Sequence, residues 1–490
     1  MNKKNITKLL NRRQVLKYGL YGSIAAAAPA LWTTGCAKFK PQKKPNVLLI
    51  LLDTARADKF SSMGYKRNTS PNIDAFFAQG TIFQKAYSTA CWTLPAHGSL
   101  FTGLYPIESG ANSETLHLPQ THKTLAQAMT NAGYDTTAFI CNSWVSAERG
   151  FARGFNEYNE MWRESQRIGT KTNAEEAAVT KTVQWLEKRK NIKNPFFLFM
   201  NLNGIHLPYR AKKPFLSQFL KNKYNNKEIN RIASITAMWP YLAGKYKLSK
   251  KDFQIMNDLY DAEVVFTDYL VKQVFDQLTS MGILDDTLVI LTSDHGENLG
   301  EHGRIDHNLS MHETTLHIPL MMRYPNRFKP ATRDDDLVSI LDIAPTILDI
   351  CGVNKEMQNL NIEKTSLVSQ NRDARVFIIA SNEKPRAGIA LMKQQYPQFD
   401  TKTIDYRLRT IRTKLHKLIW TVDKDMQLFD LKNDPRELKN LANSQPEIKN
   451  KLHKILVSWL KQTSSAAGTA YFKGQDEESL KLLRSLGYIK

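Results

Sequence analysis

Cysteine is scarce in this sequence, with four among 490 residues, and no two of them form a Cys-x-x-Cys pair. Their spacing therefore predicts no disulfide framework, and we find no internal repeat either. An acidic surplus is also missing, because Lys and Arg exceed Asp and Glu by 21. That charge favours anionic substrates, acidic polymers or phosphate headgroups without choosing among them. The length and the hydrophobic share of 42% allow a large α/β domain with a smaller companion.

The first 36 residues have the pattern of an export signal rather than of a folded domain. Arg12 and Arg13 in NRRQVLKYGL precede the apolar stretch YGSIAAAAPALW, and TTGC follows, ending at Cys36. The twin arginines resemble a bacterial Tat signal, and TTGC resembles a lipobox with threonine where leucine is usual. We expect an exported bacterial protein, periplasmic or held at the membrane by a lipidated Cys36. Free release and a transmembrane anchor are the alternatives, and the apolar run is short for spanning.

Three continuous apolar runs, each ending in a polar cluster, indicate buried strands with functional groups at their carboxyl ends. After a basic, proline-containing linker at 37–45, they are VLLILLD at 47–53, PFFLFMNLNGIH at 195–206 and DTLVILTSDHGE at 286–297. Helical patterns such as TLAQAMTNAGY lie between them. Strands that alternate with helices predict an α/β fold with a doubly wound sheet, in which ligands bind at the carboxyl ends of the strands.

The pattern changes after VSILDIAPTILDICGV, where shorter strand-like pieces begin with RVFIIAS and end with MQLFDL. They predict a smaller antiparallel α+β subdomain at 354–462, which includes a helix at 448–462, and leave a tail at 463–490. Within the preceding domain, 46–353, the Lys- and Asn-rich segment 210–251 is interpreted as an insertion over the site. It is either a lid or a plain surface excursion.

Polar residues at the strand ends form a candidate metal site. Hard divalent cations need several oxygen donors, sometimes with an imidazole, from separate segments. Asp53 ends the first predicted strand, and Asp294 with His295 ends a later one. A lone aspartate at a strand end is more often a cap or turn residue. Together with the Thr-x-Pro-x-His turn at 93–97, however, these residues favour a shared site in one crevice.

Several blocks, in order along the chain, resemble the sulfatase branch of the alkaline phosphatase superfamily. They include NVLLILLDTARADKFSSMGY, TLPAHGSLFTGLYP, PFFLFMNLNGIHLPY, TLVILTSDHGENLGEHG and DIAPTILDICGV. They cover about residues 46–353, and RTIRTKLHKLIW with LFDLKNDPRELKNLA resembles the family's smaller subdomain. The resemblance implies an alkaline-phosphatase-like mixed sheet and an anionic sulfate- or phosphate-ester substrate, with no nucleic acid as partner. No oligomeric state is predicted.

The family's nucleophile position is taken here by threonine. Sulfatases carry a Cys-x-Pro-Ser-Arg turn whose cysteine becomes formylglycine, followed at a fixed distance by Thr-Gly. Counting back from Thr-Gly at 102–103, and from Pro95, places Thr93 at that position and His97 at the position of the arginine. Cys91 lies four residues before the proline, so we expect a small buried apolar side chain there, with a catalytic thiol as the alternative.

This replacement changes the chemistry that the resemblance implies. Hydrated formylglycine can expel sulfate by collapsing to the aldehyde, and threonine cannot. A threonine adduct must instead be resolved by water or another hydroxyl that attacks sulfur or phosphorus. Relatives with a threonine nucleophile, such as lipoteichoic acid synthases and phosphoethanolamine transferases, use phosphorus in this way. The prediction therefore extends to phosphoester cleavage or transfer.

The resemblance also implies the metal ligands. Asp53, Asp294 and His295, with Thr93 as the fourth ligand, would hold one divalent metal ion, with Ca or Mn as the best candidates. The metal would lower the pKa of the threonine hydroxyl and neutralise an ester oxygen. The family commonly has two acids after the first strand, and Thr54 occupies the second place here.

Further roles follow from the same resemblance. His97 would orient or help deprotonate the nucleophile. His206, in IHLPY, would contact the anion or protonate the leaving group, and a structural strand-end histidine is the alternative reading. His307 would support departure of the leaving group, whereas the neighbouring histidines of GEHG and SMHE are expected to be structural. Arg56 would either pair with the anion or brace the loop of the first aspartate. The family's Gly-Lys-Trp-His block is missing, and Asn142 would supply a weaker neutral contact in its place.

The sequence thus predicts an exported, metal-dependent sulfatase-like hydrolase with a threonine nucleophile. One alternative is a transferase that moves a phospho-headgroup onto an envelope lipid or glycan. Another is an inactive protein that binds sulfated or phosphorylated polymers, which the missing formylglycine cysteine and the positive charge would suit.

Overall fold

The computed structural model describes residues 44–163, 174–220, 223–353, 356, 366–369, 372 and 375–466. The predicted export signal, the lipidation site Cys36, nearly all of the 37–45 linker and the tail beyond 466 lie outside the described residues. From Lys44 onward, the described chain belongs to one compact unit. In the ranges that the structure describes, no helix is both long and apolar enough to cross a membrane.

The strands, in chain order, are β1 (Asn46–Leu52), β2 (Thr81–Tyr87), β3 (Asp135–Ile140), β4 (Glu157–Glu160), β5 (Phe196–Leu202), β6 (Thr287–Thr292), β7 (Asn298–Leu299), β8 (Ile305–Asp306), β9 (His317–Ile318), β10 (Leu320–Arg323), β11 (Thr332–Ser339), β12 (Phe377–Asn382), β13 (Leu408–Thr413), β14 (His416–Thr421) and β15 (Met426–Asp430).

The α-helices are α1 (Pro71–Phe77), α2 (Thr93–Thr102), α3 (Pro106–Ser109), α4 (Leu125–Asn131), α5 (Ala174–Lys188), α6 (Lys213–Leu220), α7 (Asn226–Ala233), α8 (Trp239–Leu242), α9 (Lys250–Ser280), α10 (Glu313–Leu316), α11 (Ile343–Ile350), α12 (Arg386–Gln395) and α13 (Pro446–Ala466).

The main sheet is mixed and has the order β11-β2-β10-β6-β1-β5-β3-β4, with β9 paired to β2. β1 lies at its centre and pairs in parallel with both β5 and β6, so that Leu49 stands opposite Phe199 and Ile290. β10 runs antiparallel between β2 and β6. This confirms the predicted α/β class and makes the sheet mixed, as in alkaline-phosphatase-like sulfatases.

The continuous apolar sequence of β1 follows from its position between two covered faces. Successive strand residues point to opposite faces, and the residues of β1 accordingly divide between two hydrophobic clusters. Leu49 packs in the cluster that includes residues of α2, α4 and α11, and Ile50 packs in the cluster that includes residues of α5 and α9. Helices therefore cover both faces of the sheet.

The C-terminal region forms the predicted antiparallel sheet, in the order β12-β13-β14-β15. The predicted strand piece YRLRTIRTKLHKLIWTV folds as the β13–β14 hairpin, and the predicted helix at 448–462 is part of α13. Buried Lys417 of β14 lies 3.1 Å from a carboxylate oxygen of Glu313 and 3.0 Å from one of Glu437. The pair with Glu313 connects the C-terminal sheet to α10 of the larger domain.

Candidate active site

The carboxyl ends of β1 and β6 bring the three predicted metal-ligating residues together. Asp53 directly follows β1, and Asp294 and His295 follow β6 one residue after its end. All three side chains are fully buried, and their ligand-type atoms lie within 4.8 Å of one another. His295 Nε2 is 3.3 Å from Asp294 Oδ2 and 3.9 Å from Asp53 Oδ1. Adjacent parallel strands explain this convergence.

The donor atoms of this cluster fit a divalent cation. Asp53 Oδ1 and Asp294 Oδ2 are buried and have no hydrogen-bond partner among the described residues. His295 Nδ1 lies 2.9 Å from the carbonyl oxygen of Gly296, so a neutral ring that donates there leaves Nε2 as a lone-pair donor facing the acids. Two orphaned carboxylate oxygens and an imidazole nitrogen form a donor set that binds Mn²⁺ readily, and the oxygens also suit Ca²⁺.

Burial affects the two carboxylates differently. Burial raises the pKa of Asp53, and the nearby charge of Asp294 raises it further. Burial also acts to raise the pKa of Asp294, but the neighbouring His295 and His97 outweigh it, so that the pKa of Asp294 lies below its usual range. Two buried acids with like charges at this distance repel each other unless a cation lies between them.

Thr93 borders the cluster as the first residue of α2. Its side chain is buried, and Oγ1 lies 3.4 Å from His295 Nε2. The preceding Trp92 is extended and provides no side-chain cap, so the positive end of the helix dipole is left facing this region. The predicted register therefore places a hydroxyl, rather than a thiol, beside the acids.

Cys91 is fully buried, as expected, and its thiol sulfur is 3.7 Å from the carbonyl oxygen of Asn308. Burial raises the pKa of this thiol to about 12, which disfavours the thiolate. All three cysteines in the described residues are free and buried. The prediction of a small buried side chain at this position, with no disulfide framework, is confirmed for this part of the chain.

His97 lies one helical turn after Thr93, and its contacts bear on its two predicted roles, orientation and deprotonation of Thr93. Its Nδ1 is 2.9 Å from the main-chain oxygen of Thr93 and 3.5 Å from Asp294 Oδ2. Burial lowers the pKa of His97, which favours the neutral ring. The geometry therefore supports orientation of the helix start and of Asp294, whereas direct deprotonation of the Thr93 hydroxyl finds no hydrogen bond to support it.

Asn142, predicted to contact substrate, donates a hydrogen bond to a carboxylate of the candidate metal cluster. It follows β3, and its Nδ2 donates to Asp53 Oδ2 at 2.6 Å, with Thr93 Oγ1 and Asn203 Oδ1 each 3.4 Å away. This amide therefore fixes Asp53 beside Thr93. Asn203 was missed by the sequence reasoning, although it stands in the polar cluster that ends a predicted strand.

Arg56 braces the loop, which was one of its two predicted roles. Its Nε and Nη2 donate to Asp58 at 2.9 and 2.7 Å, and Nη1 donates to the carbonyl of Glu297 and to the Glu301 side chain. Each guanidinium nitrogen is bound to the protein, so these contacts favour the bracing role of Arg56 over pairing with an anion.

Thr54, which stands where relatives have a second acid, does not join the cluster. Its backbone has a positive φ of 58°, and its hydroxyl donates to the carbonyl of Asp53 at 2.7 Å. A left-handed conformation is costly for a β-branched residue and is typical of functional sites. Its N–H donates to Asp294 Oδ1 at 3.3 Å, so this residue positions Asp294 through its backbone.

His206 and His307 stand side by side next to the cluster, as the resemblance implied. Their ring centroids are 5.2 Å apart, and the ring of His307 is 4.3 Å from that of His295. His307 Nδ1 lies 2.9 Å from Asp306 Oδ1 and 3.0 Å from Glu297 Oε1. Burial lowers the pKa of His307, but these two acids outweigh it and raise that pKa well above its usual range. The two acids therefore favour the imidazolium form of His307.

The two acids that charge His307 were also missed by the sequence reasoning. Asp306 has a positive φ of 64°, an unusual conformation for a non-glycine residue, and its carboxylate also accepts a hydrogen bond from the N–H of His307 at 2.6 Å. Glu297 accepts a hydrogen bond from the hydroxyl of Tyr209 at 2.8 Å. The only sequence signal for these two acids is that Glu297 stands in SDHGE and Asp306 stands in RIDHN.

The histidines expected to be structural, His302 and His312, stack on each other with centroids 3.7 Å apart. His312 Nδ1 is 3.1 Å from the hydroxyl of Ser310. Neither is among the residues that line the cavity over Thr93.

The mixed sheet, the acid and histidine cluster at its carboxyl edge and the antiparallel companion together define an ester hydrolase of the alkaline phosphatase superfamily. The sulfatase family model matches residues 45–353, and a model for the C-terminal region of N-sulphoglucosamine sulphohydrolase matches residues 300–463. The chain therefore belongs to the sulfatase family, whose members hydrolyse sulfuric or phosphoric esters.

The similar proteins include both sulfate and phosphonate enzymes. Arylsulfatase K of Bos taurus is 25% identical over 94% of this chain and 90% of its own length. N-acetylglucosamine-6-O-sulfatase of Bacteroides thetaiotaomicron is 23% identical over 91% of this chain and 92% of its own length. The solved phosphonate monoester hydrolase of Agrobacterium radiobacter superposes with a TM-score of 0.68 at 20% identity, covering 86% of this chain and 96% of that one. A protein solved with its substrate D-glucosamine-2-N,6-O-disulfate gives 0.67 at 20% identity, covering 86% and 99%.

Proposed function

We propose that this protein is an exported, metal-dependent hydrolase that cleaves a sulfate or phosphate ester by nucleophilic attack from Thr93. One observation carries the proposal: Thr93 Oγ1 lies 3.4 Å from His295 Nε2, beside a buried cluster with two unpartnered carboxylate oxygens. Cleavage of a sulfate ester is supported by relatives that act on sulfated sugars. Phosphorus chemistry is supported by the threonine itself, whose adduct can be released only by displacement.

Asp53, Asp294, His295 and Thr93 would hold one divalent cation, with Ca²⁺ and Mn²⁺ as the candidates. When bound, such a cation lowers the pKa of a coordinated hydroxyl and neutralises charge on a non-bridging ester oxygen. Other residues of the chain would orient the metal-ligating side chains, and Asn142 orients Asp53 with a hydrogen bond of 2.6 Å.

The reaction has two displacements. Thr93 Oγ1 bonds to sulfur or phosphorus while the bond to the alcohol oxygen breaks, and the hydroxyl proton passes to water in the cavity that Thr93 lines. His307 is charged by Asp306 and Glu297 and donates its proton to the leaving alkoxide. Neutral His307 then takes a proton from the attacking water. That water releases sulfate or phosphate, and the Thr93 hydroxyl recovers its proton from the cavity. His206 also lines this cavity and contacts the anionic ester group.

A panel of aryl sulfate, phosphate monoester, phosphate diester and phosphonate substrates, with Ca²⁺ and Mn²⁺ compared, tests the proposal. We expect turnover of at least one substrate, dependence on added metal, and loss of turnover in Thr93→Ala with substrate binding retained. No turnover of any substrate by the metal-loaded wild type would favour the inactive binder. Transfer of the group to an added alcohol with little free phosphate would favour the transferase.

Export and lipid anchoring are proposed from residues 1–36 alone. Expression in a bacterium with fractionation and radiolabelled fatty acid tests them. We expect labelled protein in the membrane fraction, and unlabelled protein for Cys36→Ser. Wild-type protein that stays in the cytoplasm would contradict export.

A further inference from the structure

A cavity of about 390 Å³ opens over Thr93, and three separate parts of the chain build its walls. Trp92 precedes α2, Trp239 comes from the 210–251 insertion, and Asn382 and Gly388 come from the C-terminal subdomain. The volume is that of a pocket for one small ligand. The 210–251 insertion therefore lines the cavity over Thr93, which a lid would do and a plain surface excursion would not.

Indole rings form much of this wall. Trp92 and Trp144 meet edge to face, with ring centroids 5.4 Å apart at 88°. Trp239 lies so close to α12 that a Cβ at Gly388 would stand 2.2 Å from its Cη2 atom. The absent side chain at this glycine thus lets Trp239 occupy its place on the wall. Flat apolar surfaces of this kind pack against the faces of a ring.

Lys and Arg side chains are missing from the same wall, although the whole chain carries a net charge of +21; its cationic group is His307, beside the ester position over Thr93. No Lys or Arg stands among the described residues that line the cavity. The nearby cations are engaged elsewhere: Arg386 lies 3.5 Å from Glu114, and Lys384 lies 3.1 Å from Asp405. His307 is engaged by Asp306 and Glu297, so a second anionic group on a substrate would lose water here without gaining a Lys or Arg partner.

We propose that the leaving group is an uncharged sugar ring that packs against Trp239 and Trp92 and bears no second sulfate, phosphate or carboxylate beside the ester. The proposal rests on the proposed function, because the ester must lie over Thr93. Neutral polar groups of the wall, such as Thr236 and Asn308, suit ring hydroxyls. Contacts with the neutral sugar ring, rather than contacts with further anionic groups, thereby determine which substrate is cleaved.

The test compares three esters of whichever acid the enzyme turns over: a neutral hexose monoester, the same hexose with a second sulfate, and the methyl ester. We expect kcat/KM for the neutral hexose ester to exceed that for the doubly charged one by about tenfold or more. Trp239→Ala and Gly388→Ala should raise KM for the hexose ester about tenfold, a loss of about 1.4 kcal/mol in binding, with little change in kcat. Both variants should leave the methyl ester unaffected, and Trp239→Phe should keep most of the affinity.

Tyr241→Ala is the matched control, since Tyr241 lies on the same short helix, α8, but outside the lining of this cavity. The proposal is overturned if the doubly charged ester is preferred, or if Trp239→Ala affects the hexose and methyl esters equally. Binding of the three esters to Thr93→Ala, followed by tryptophan fluorescence, gives the same ranking without turnover. Failure of the proposed function would remove turnover and leave this ranking intact, whereas failure of the ring proposal would abolish the ranking.

Discussion

Removal of the Asn142 amide should weaken metal binding rather than substrate binding. Asn142 Nδ2 donates to Asp53 Oδ2 at 2.6 Å, and the acceptor is a fully buried carboxylate. A hydrogen bond to a charged group contributes about 1.5–3 kcal/mol, which corresponds to roughly 10- to 150-fold in an equilibrium constant. Residues that orient a metal ligand typically contribute about 10–100-fold in metal affinity, which agrees with that range.

The assay is calorimetric titration of Mn²⁺ and Ca²⁺ into metal-free wild type and Asn142→Ala. We expect the dissociation constant to rise about 10- to 100-fold in the variant, and activity to recover in part when excess metal is added. Asn159→Ala serves as the control, because Asn159 donates to the Ala138 carbonyl on the neighbouring strand and makes no contact with the cluster. Unchanged metal affinity with a raised KM would refute the reasoning and would restore the substrate contact predicted from the sequence.

Three further predictions concern other parts of the site and its support. Because Asp306 raises the pKa of His307 and the proposed mechanism requires the imidazolium, activity should be lost as pH rises through that pKa; Asp306→Asn should move this alkaline limb of kcat to lower pH by at least about one unit. An unmoved limb would contradict the acid role of His307. Lys417→Ala leaves buried Glu437 without its cation and Glu313 with Arg412 alone, at 3.6 Å, and should lower the free energy of unfolding by about 3–5 kcal/mol in denaturant titrations, whereas a change below about 1 kcal/mol would contradict this prediction. Cys91→Ala should keep its activity in the same substrate assays, since this thiol is buried and protonated, and loss of activity without unfolding would show otherwise.

The sequence predicted residue positions in the site best where those positions follow from the direction of the strands. The carboxyl ends of buried parallel strands lie at one edge of a sheet, so Asp53 and Asp294 could be placed together from the apolar runs that they end and from the Thr-x-Pro-x-His turn. The register from Pro95 and Thr-Gly placed Thr93 at the position that the resemblance assigns to the nucleophile, and the structure has this residue at the start of α2. The burial of Cys91 was expected from its distance to that proline.

The sequence was less informative where a role depends on side-chain direction. Asn142 and Arg56 stood at the right places for substrate contact, yet their hydrogen bonds go to protein carboxylates. Whether an amide faces ligand or protein depends on packing between strands far apart in sequence, here β1 and β3. Spacing along the chain contains no information on this choice.

The substrate cavity shows the same limit more strongly. Trp239 and Gly388 lie about 150 residues apart, in an insertion and a companion subdomain, and their fit depends on one missing Cβ. Neither residue forms part of a recognisable motif. The cavity wall that would select a leaving group therefore depends on how three segments, far apart in sequence, pack together in the fold.

The identity of the nucleophile is tested most directly by trapping the covalent intermediate. The metal-loaded enzyme would be quenched with acid during turnover of its best substrate and digested, and its peptides analysed by mass spectrometry. The account predicts a sulfated or phosphorylated Thr93 that is absent in Thr93→Ala, together with loss of turnover in that variant. An adduct on Cys91, or full turnover by Thr93→Ala, would contradict it.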